Sequence, residues 1–298
     1  MGKVKRTPLY LLEALGHNIF YLFLLLFGQG GAYLLLKPVI ATYLLFSRKI
    51  HRNSACYLKR RFPDHGPARL WLDTYRLVHS FGQVLVDRGW LGLRRKAQLR
   101  GELIGGERLL ELVAEGKGLV LLTAHVGNWQ TALAHIRGLE VPINSLMHYE
   151  EEAVAKHYFD LRDGTAPFRI IKSDGFMGGM IESTAALGRG EVVTIMGDRY
   201  AGGPWAEVEF LGGKARLPSA AYSLAAATGA PVAILLAAKT GRRSYTIKVW
   251  DDFYPATGAR HDRQRDLGRW ADRFAKSLEG YVRQNPYQWY NFFDLWSQ

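Results

Sequence analysis

The chain has 298 residues, 48% hydrophobic and 22% charged, with 39 Lys+Arg against 27 Asp+Glu. That length gives ample room for one large domain or two modest ones, and the composition excludes a mainly disordered protein. The single cysteine, Cys56, excludes an intrachain disulfide and any zinc site built on cysteine pairs, while the basic balance favours anionic partners such as phospholipid head groups, nucleic acid or an acidic carrier protein.

From the N-terminus, Asn18–Leu36 runs 19 residues without a charge, and the apolar pattern resumes after Lys37. A spanning helix needs about 20 mostly apolar residues. The G-Q-G-G interruption at 28–31 points instead to two shorter amphipathic or re-entrant helices in one leaflet. No small-residue cleavage site follows an ordinary signal-peptide core, so no removed leader is expected. Basic clusters at Lys3–Arg6, Arg48–Arg52 and Lys59–Arg61 suit anionic lipid head groups and a cytoplasmic placement. A buried pair of core helices is the competing reading, and the length of the apolar stretch speaks against it. The expected division is a membrane-associated helical segment over 1–55 and an α/β domain over 56–298.

Apolar residues at helical spacing from Arg69 to Trp90 predict an amphipathic helix ending near Gly89. Short β-rich runs then alternate with helices. Strands are expected at Gly118–Thr123, Val141–Met147, Phe168–Lys172, Glu191–Met196, Val232–Ala237 and Ser244–Trp250. Helices are expected at Asn128–Arg137, around Glu150–Arg162, and at about Gly179–Leu187, Ser219–Thr228 and Asp262–Gln284. Residues between Met196 and Ser219 read as a loop with two Gly pairs and a Pro. This alternation predicts an α/β fold with a central mixed, mostly parallel sheet flanked by helices. Catalytic groups in such folds tend to sit where strand C-termini meet helix N-termini.

No phosphate loop, H-E-x-x-H zinc helix or G-x-S-x-G elbow is present, and D-G-F-M-G-G at Asp174–Gly179 reads as a helix-entry loop. Histidine-plus-acid chemistry remains. A neutral imidazole can take a proton from an attacking hydroxyl, and a carboxylate on its far nitrogen fixes the tautomer and stabilises the imidazolium. Two formal H-x4-[DE] matches, His135/Glu140 and His261/Asp266, look accidental. The first crosses a helix stop and the second lies on a charged helix. His125 differs, because it follows an apolar strand directly and precedes Gly127-Asn128. From context alone it is equally a catalytic residue or a buried, hydrogen-bonded one.

The block H-V-G-N-W-Q resembles the H-x4-[DE] block of the late lipid A acyltransferase branch of the lysophospholipid acyltransferase superfamily. So do V-V-T-I-M-G-D-R-Y-A-G-G-P, the stretch V-E-F-L-G-G-K-A-R-L-P-S-A-A-Y-S-L-A-A-A-T-G-A-P-V and the terminal N-P-Y-Q-W-Y-N-F-F-D-L-W, in order and spacing across about residues 100–298. The tail and the G-N-W form look closer to divergent relatives acting on another lipid. The resemblance implies transfer of a fatty acyl chain from a thioester, on acyl carrier protein or coenzyme A, to a hydroxyl of a membrane lipid. The setting it implies is the cytoplasmic face of a bacterial inner membrane, with no metal and no bound cofactor beyond the acyl thioester co-substrate.

The resemblance makes His125 the general base and position 130 its acid, yet residue 130 is Gln130. It is read either as an engineered replacement of glutamate, made to hold substrate without turnover, or as a natural departure in which another acid supplies the charge. The first is preferred. Asp198 takes the family's post-strand acid position as a structural or substrate-positioning group. Arg199 reads as a phosphate or oxyanion ligand or a strand-end ion pair, and Arg216 as a head-group ligand or a solvated loop charge. Asn128 either orients the site or caps a helix. Trp289, Tyr290, Phe292, Phe293 and Trp296 are expected to pack under the fold or against lipid. A lipid-binding pseudoenzyme is the main rival function. Nucleic-acid binding rests on net charge alone and is set aside.

Overall fold

The structure, a computed structural model, describes residues 8–94, 97–129, 136–149, 168–174, 176–199, 203–256, 258 and 262–296. Among the described residues, helix α1 (Pro8–Phe46) is broken at Gly28, whose φ of 67° and ψ of −173° lie outside helical space. Phe20 and Leu36 would stand about 24 Å apart on a straight helix rising 1.5 Å per residue. Here both pack into one small cluster with Leu24, Ala32 and Val86, and both line one cavity of about 260 Å³. The two arms therefore fold back on each other, as the glycine-rich interruption suggests. By length and composition Gly16–Phe46 is apolar enough to cross a membrane, and Leu22, Leu26, Phe27, Leu45 and Phe46 are exposed.

Both arms lean on α3 (Pro67–Leu93). Gly82 and Gly89 are seven residues apart and share one face of α3. A Cβ at Gly82 would lie 3.1 Å from Leu36, and one at Gly89 would lie 3.0 Å from Leu24. Between α1 and α3, α2 (Arg48–Arg61) buries Tyr57 and Leu58 in the main core while Arg48, Lys49, Arg52, Lys59 and Arg60 stay exposed.

One polar contact fastens this helical layer to the sheet. Asp87 of α3 is fully buried. It accepts Gln29 Nε2 at 2.5 Å and the Tyr33 hydroxyl from α1, and Lys239 Nζ at 2.5 Å and the Tyr245 hydroxyl from the sheet. A buried carboxylate is tolerable only when paired and hydrogen-bonded, and four donors on two oxygens meet that condition.

The sheet has seven strands among the described residues: β1 (Arg100–Ile104), β2 (Leu119–Thr123), β3 (Ile143–Met147), β4 (Arg169–Lys172), β5 (Val192–Met196), β8 (Val232–Lys239) and β9 (Ser244–Phe253), ordered β1-β9-β8-β2-β5-β3-β4. All adjacent pairs are parallel except β8–β9. The expected mixed, mostly parallel sheet is therefore present. The central strands are apolar throughout because both faces are covered. Val120 and Leu122 join a core with α5 (Met180–Gly188), α6 (Ala220–Thr228) and α7 (Arg263–Gln284), whereas Leu119 and Leu121 meet α4 (Gly106–Ala114) on the other side.

One expectation needs correction. The stretch read as a loop after Met196 contains an antiparallel hairpin, β6 (Trp205–Phe210) and β7 (Gly213–Pro218). Leu211 and Gly212 take φ of 49° and 72°, the left-handed pair that a tight two-residue turn needs. Alternate residues Ala206, Val208 and Phe210 are buried. The expected helices at 128–137 and 150–162 fall almost wholly outside the described residues.

The paired glycines of α3 generate a test. Gly89→Leu should separate α1 from α3 by overpacking, at a cost of about 1–3 kcal/mol. The readout is a lower thermal midpoint in detergent with faster proteolysis near Gly28, while Gly66→Leu, at an open position, should leave both unchanged.

Candidate active site

His125 is the second residue beyond β2 and Asp198 the second beyond β5. The two strands are parallel neighbours with Thr123 opposite Met196, so the register delivers both residues to one edge of the sheet, side by side. The chain leaves β2 toward β3 but leaves β5 toward β8, on opposite sides of the β2–β5 pair. Such divergence opens a crevice beyond the strand C-termini.

Asp198 Oδ1 lies 2.8 Å from His125 Nδ1, and its Oδ2 accepts the His125 backbone N–H at 2.9 Å and Trp289 Nε1 at 2.9 Å. The carboxylate is fully buried and the imidazole about a quarter exposed (26%). Burial on its own raises the pKa of Asp198. The positive charge and hydrogen bonds of His125, helped by Arg199, outweigh it and hold the carboxyl down at about 2. An ionised Asp198 selects the tautomer with the proton on Nδ1, so the Nε2 lone pair faces outward. A base of this form takes a proton from a hydroxyl, and the fixed negative charge stabilises the resulting imidazolium.

The C-terminal segment completes the site. Gly127 N–H donates to Gln288 O (3.1 Å), Tyr290 N–H donates to His125 O (2.8 Å), and Val126 bridges Trp289 in antiparallel fashion. The Gln288 side chain in turn accepts Lys239 N–H and donates to Lys239 O, at 2.6 and 2.9 Å. Position 127 must be glycine: φ is +49°, and a Cβ would fall 2.1 Å from Ala237 O. Trp289 is buried edge-on between Tyr57 and Phe210. It packs under the fold as expected, and it also touches Asp198, a role that no motif spacing announces.

The remaining candidates divide. Asn128 is buried directly after Gly127, and Trp129, in ring contact with Phe168, follows it. Arg199 adjoins Asp198 and donates to Tyr290 O at 2.8 Å, with Phe293 5.9 Å away, so it pins the C-terminal segment. Arg216 sits on β7 with its guanidinium 4.4 Å from the Trp205 ring and its N–H 3.5 Å from Leu295 O. The first contact lies within the hairpin and the second, from the backbone, ties it to the C-terminal segment; neither involves the His125–Asp198 pair. Gln130, His135 and His261 lie outside the described residues. Among the described residues no group of three or more His, Cys, Asp or Glu side chains is placed to hold a metal ion.

Residues 50–298 match the family described as bacterial lipid A biosynthesis acyltransferase. Comparison with curated proteins gave no match.

The lowered pKa of Asp198 has a stability consequence with a definite sign. A depressed carboxyl stabilises the fold fully above its ordinary value of 3.8, and that contribution is lost as pH falls toward about 2. Urea midpoints followed from about pH 5 to about pH 2 should therefore drop less for Asp198→Asn than for the parent. Parallel profiles would mean that the carboxylate is not held in this state.

Proposed function

The chain belongs to the bacterial lipid A biosynthesis acyltransferase family, and from that premise we propose that it moves a fatty acyl chain from a thioester to a hydroxyl of a membrane lipid, with His125 as general base. The observation that carries this reading is the His125–Asp198 pair, a buried, ionised carboxylate orienting a partly exposed imidazole. His125 Nε2 removes the acceptor hydroxyl proton as that oxygen attacks the thioester carbonyl. When the tetrahedral intermediate collapses, the carbon–sulfur bond breaks and the imidazolium returns the proton to the departing sulfur. The products are an ester and a free thiol.

On this reading Asp198, not residue 130, supplies the charge behind the imidazole. That favours the second account of Gln130, a natural departure with the acid placed elsewhere, over an engineered replacement. It also weighs against the lipid-binding pseudoenzyme, whose argument rests on Gln130 alone. Acyl carrier protein is the proposed donor, because the chain carries a formal net charge of +12 and an acidic carrier complements it. We place the protein on the cytoplasmic face of the inner membrane, the side that basic flanks prefer. The reading calls for no metal or bound cofactor.

The test is acyl transfer followed by mass spectrometry of the lipid product, with acyl carrier protein and coenzyme A thioesters offered in parallel. His125→Ala should abolish turnover. Asp198→Asn should lower kcat by about 10²–10⁴-fold with little change in KM, the loss expected when a base keeps its position but loses its charge partner. Gln130→Glu should change the rate by less than about tenfold if Asp198 carries the role; a gain comparable with the Asp198 loss would return position 130 to the dyad. Lipid binding without transfer by the parent and by Gln130→Glu, from either thioester, would leave the binding-only reading standing.

A further inference from the structure

A cavity of about 680 Å³ opens where the end of α3 meets the β1–β9 edge of the sheet, and Trp90, Arg94, Arg100, Arg243 and Ser244 are among its walls. Strand direction places it on the same edge of the sheet as His125. β9 runs opposite to β8, so its first residue, Ser244, lies at the C-terminal end of β8, and Arg100 pairs with Ser244 in parallel register. Two to three strand spacings separate that point from β2, roughly 10–15 Å at about 4.8 Å per strand.

Arg94, Arg100 and Arg243 are exposed, and the guanidinium groups of Arg94 and Arg243 are held in place. Arg94 donates to Leu25 O at 2.6 Å, just before the break in α1, and Arg243 donates to Gln29 Oε1 at 2.7 Å, just after it. Both guanidinium groups approach the Trp90 ring, at 5.5 and 5.3 Å. Arg100 enters through its backbone, bonded to Arg243 O. Among the described residues, none of the three makes an ion pair with a carboxylate, and the described walls contain no Asp or Glu. Three arginines lining one open cavity, with no carboxylate among its described walls, repel one another unless an anion joins them. The pre-positioned guanidinium groups of Arg94 and Arg243 suit a phosphate, because little side-chain freedom is left to lose. Leu22, Leu25 and Leu26 of α1, adjoining this point, are exposed by 57%, 40% and 68%, so the charged cavity borders an apolar strip. A ligand that matches both has a phosphate head and acyl tails.

We propose that this cavity binds the phosphate of an anionic membrane phospholipid, with the acyl chains lying along the first arm of α1. The site stands independently of the chemistry at His125. The phosphate meets Arg94, Arg100 and Arg243, and the lipid seals the outer side of the break at Gly28.

Native mass spectrometry of the full chain in detergent, titrated with phosphatidylglycerol, phosphatidylcholine or inorganic phosphate, tests the proposal. The parent should retain phosphatidylglycerol in preference to phosphatidylcholine, and Arg100→Glu should weaken that retention by about tenfold or more. Arg94→Gln should weaken it by a smaller factor. Lys214→Glu changes net charge equally but lies on the distant β6–β7 hairpin, already paired with Glu207, and should leave binding within about twofold of the parent. Equal retention by Arg100→Glu, equal losses in Arg100→Glu and Lys214→Glu, or no preference for the anionic lipid would each overturn the assignment. Inorganic phosphate binding as tightly as the lipid would also overturn it, in favour of a free-ion site.

Discussion

A single buried carboxylate organises the His125 end of the sheet. Asp198 has no access to water, so each of its oxygens must find an N–H, and three donors meet them: the ring and backbone of His125 and the indole of Trp289. Those partners come from the end of β2 and from the C-terminal segment, while Asp198 itself follows β5. Satisfying one charge therefore fixes the relative positions of a strand end, its neighbour and the C-terminal segment. The pairing of Gly127 with Gln288 and of Tyr290 with His125 then holds the turn after β2 from the other side. Chemistry at an imidazole requires this stiffness, because a base that can turn away from its partner loses both its tautomer and its charge support.

Much of this architecture is legible in the residues. The apolar runs that become β2, β5 and β8 have no polar face because none is exposed, and the helix from Arg69 to Trp90 follows from its periodicity. His125 stands out because it ends such a run beside a glycine. Its partner does not stand out. A search by H-x4-[DE] spacing looks along the chain, whereas Asp198 lies 73 residues away and arrives through strand order. β5 inserts between β2 and β3, and no local pattern in the sequence records that insertion. Asp198 was visible as a post-strand acid, but the nitrogen it holds is a fact of register.

Two other features were hidden for different reasons. The β6–β7 hairpin carries an alternating signal in W-A-E-V-E-F and a left-handed turn at Leu211-Gly212, yet the neighbouring glycines made the whole stretch read as loop. In the N-terminal segment the break at Gly28 is evident from composition. The role of Gln29 is not, because a lone amide among leucines looks like an interruption until the carboxylate it reaches is known.

That contact alters what kind of object the apolar segment is. Asp87 draws two of its four donors from α1 and two from the sheet, so the first forty residues supply part of the solvation of a charge inside the body of the protein. A tether can be cut without consequence for what it tethers. Here, a soluble version made by trimming the chain before α2 would leave a carboxylate short of two hydrogen bonds and uncover the small-residue face of α3. The apolar hairpin is thus also an internal wall, and a shortened chain would need a new residue at position 87 before it could stand alone.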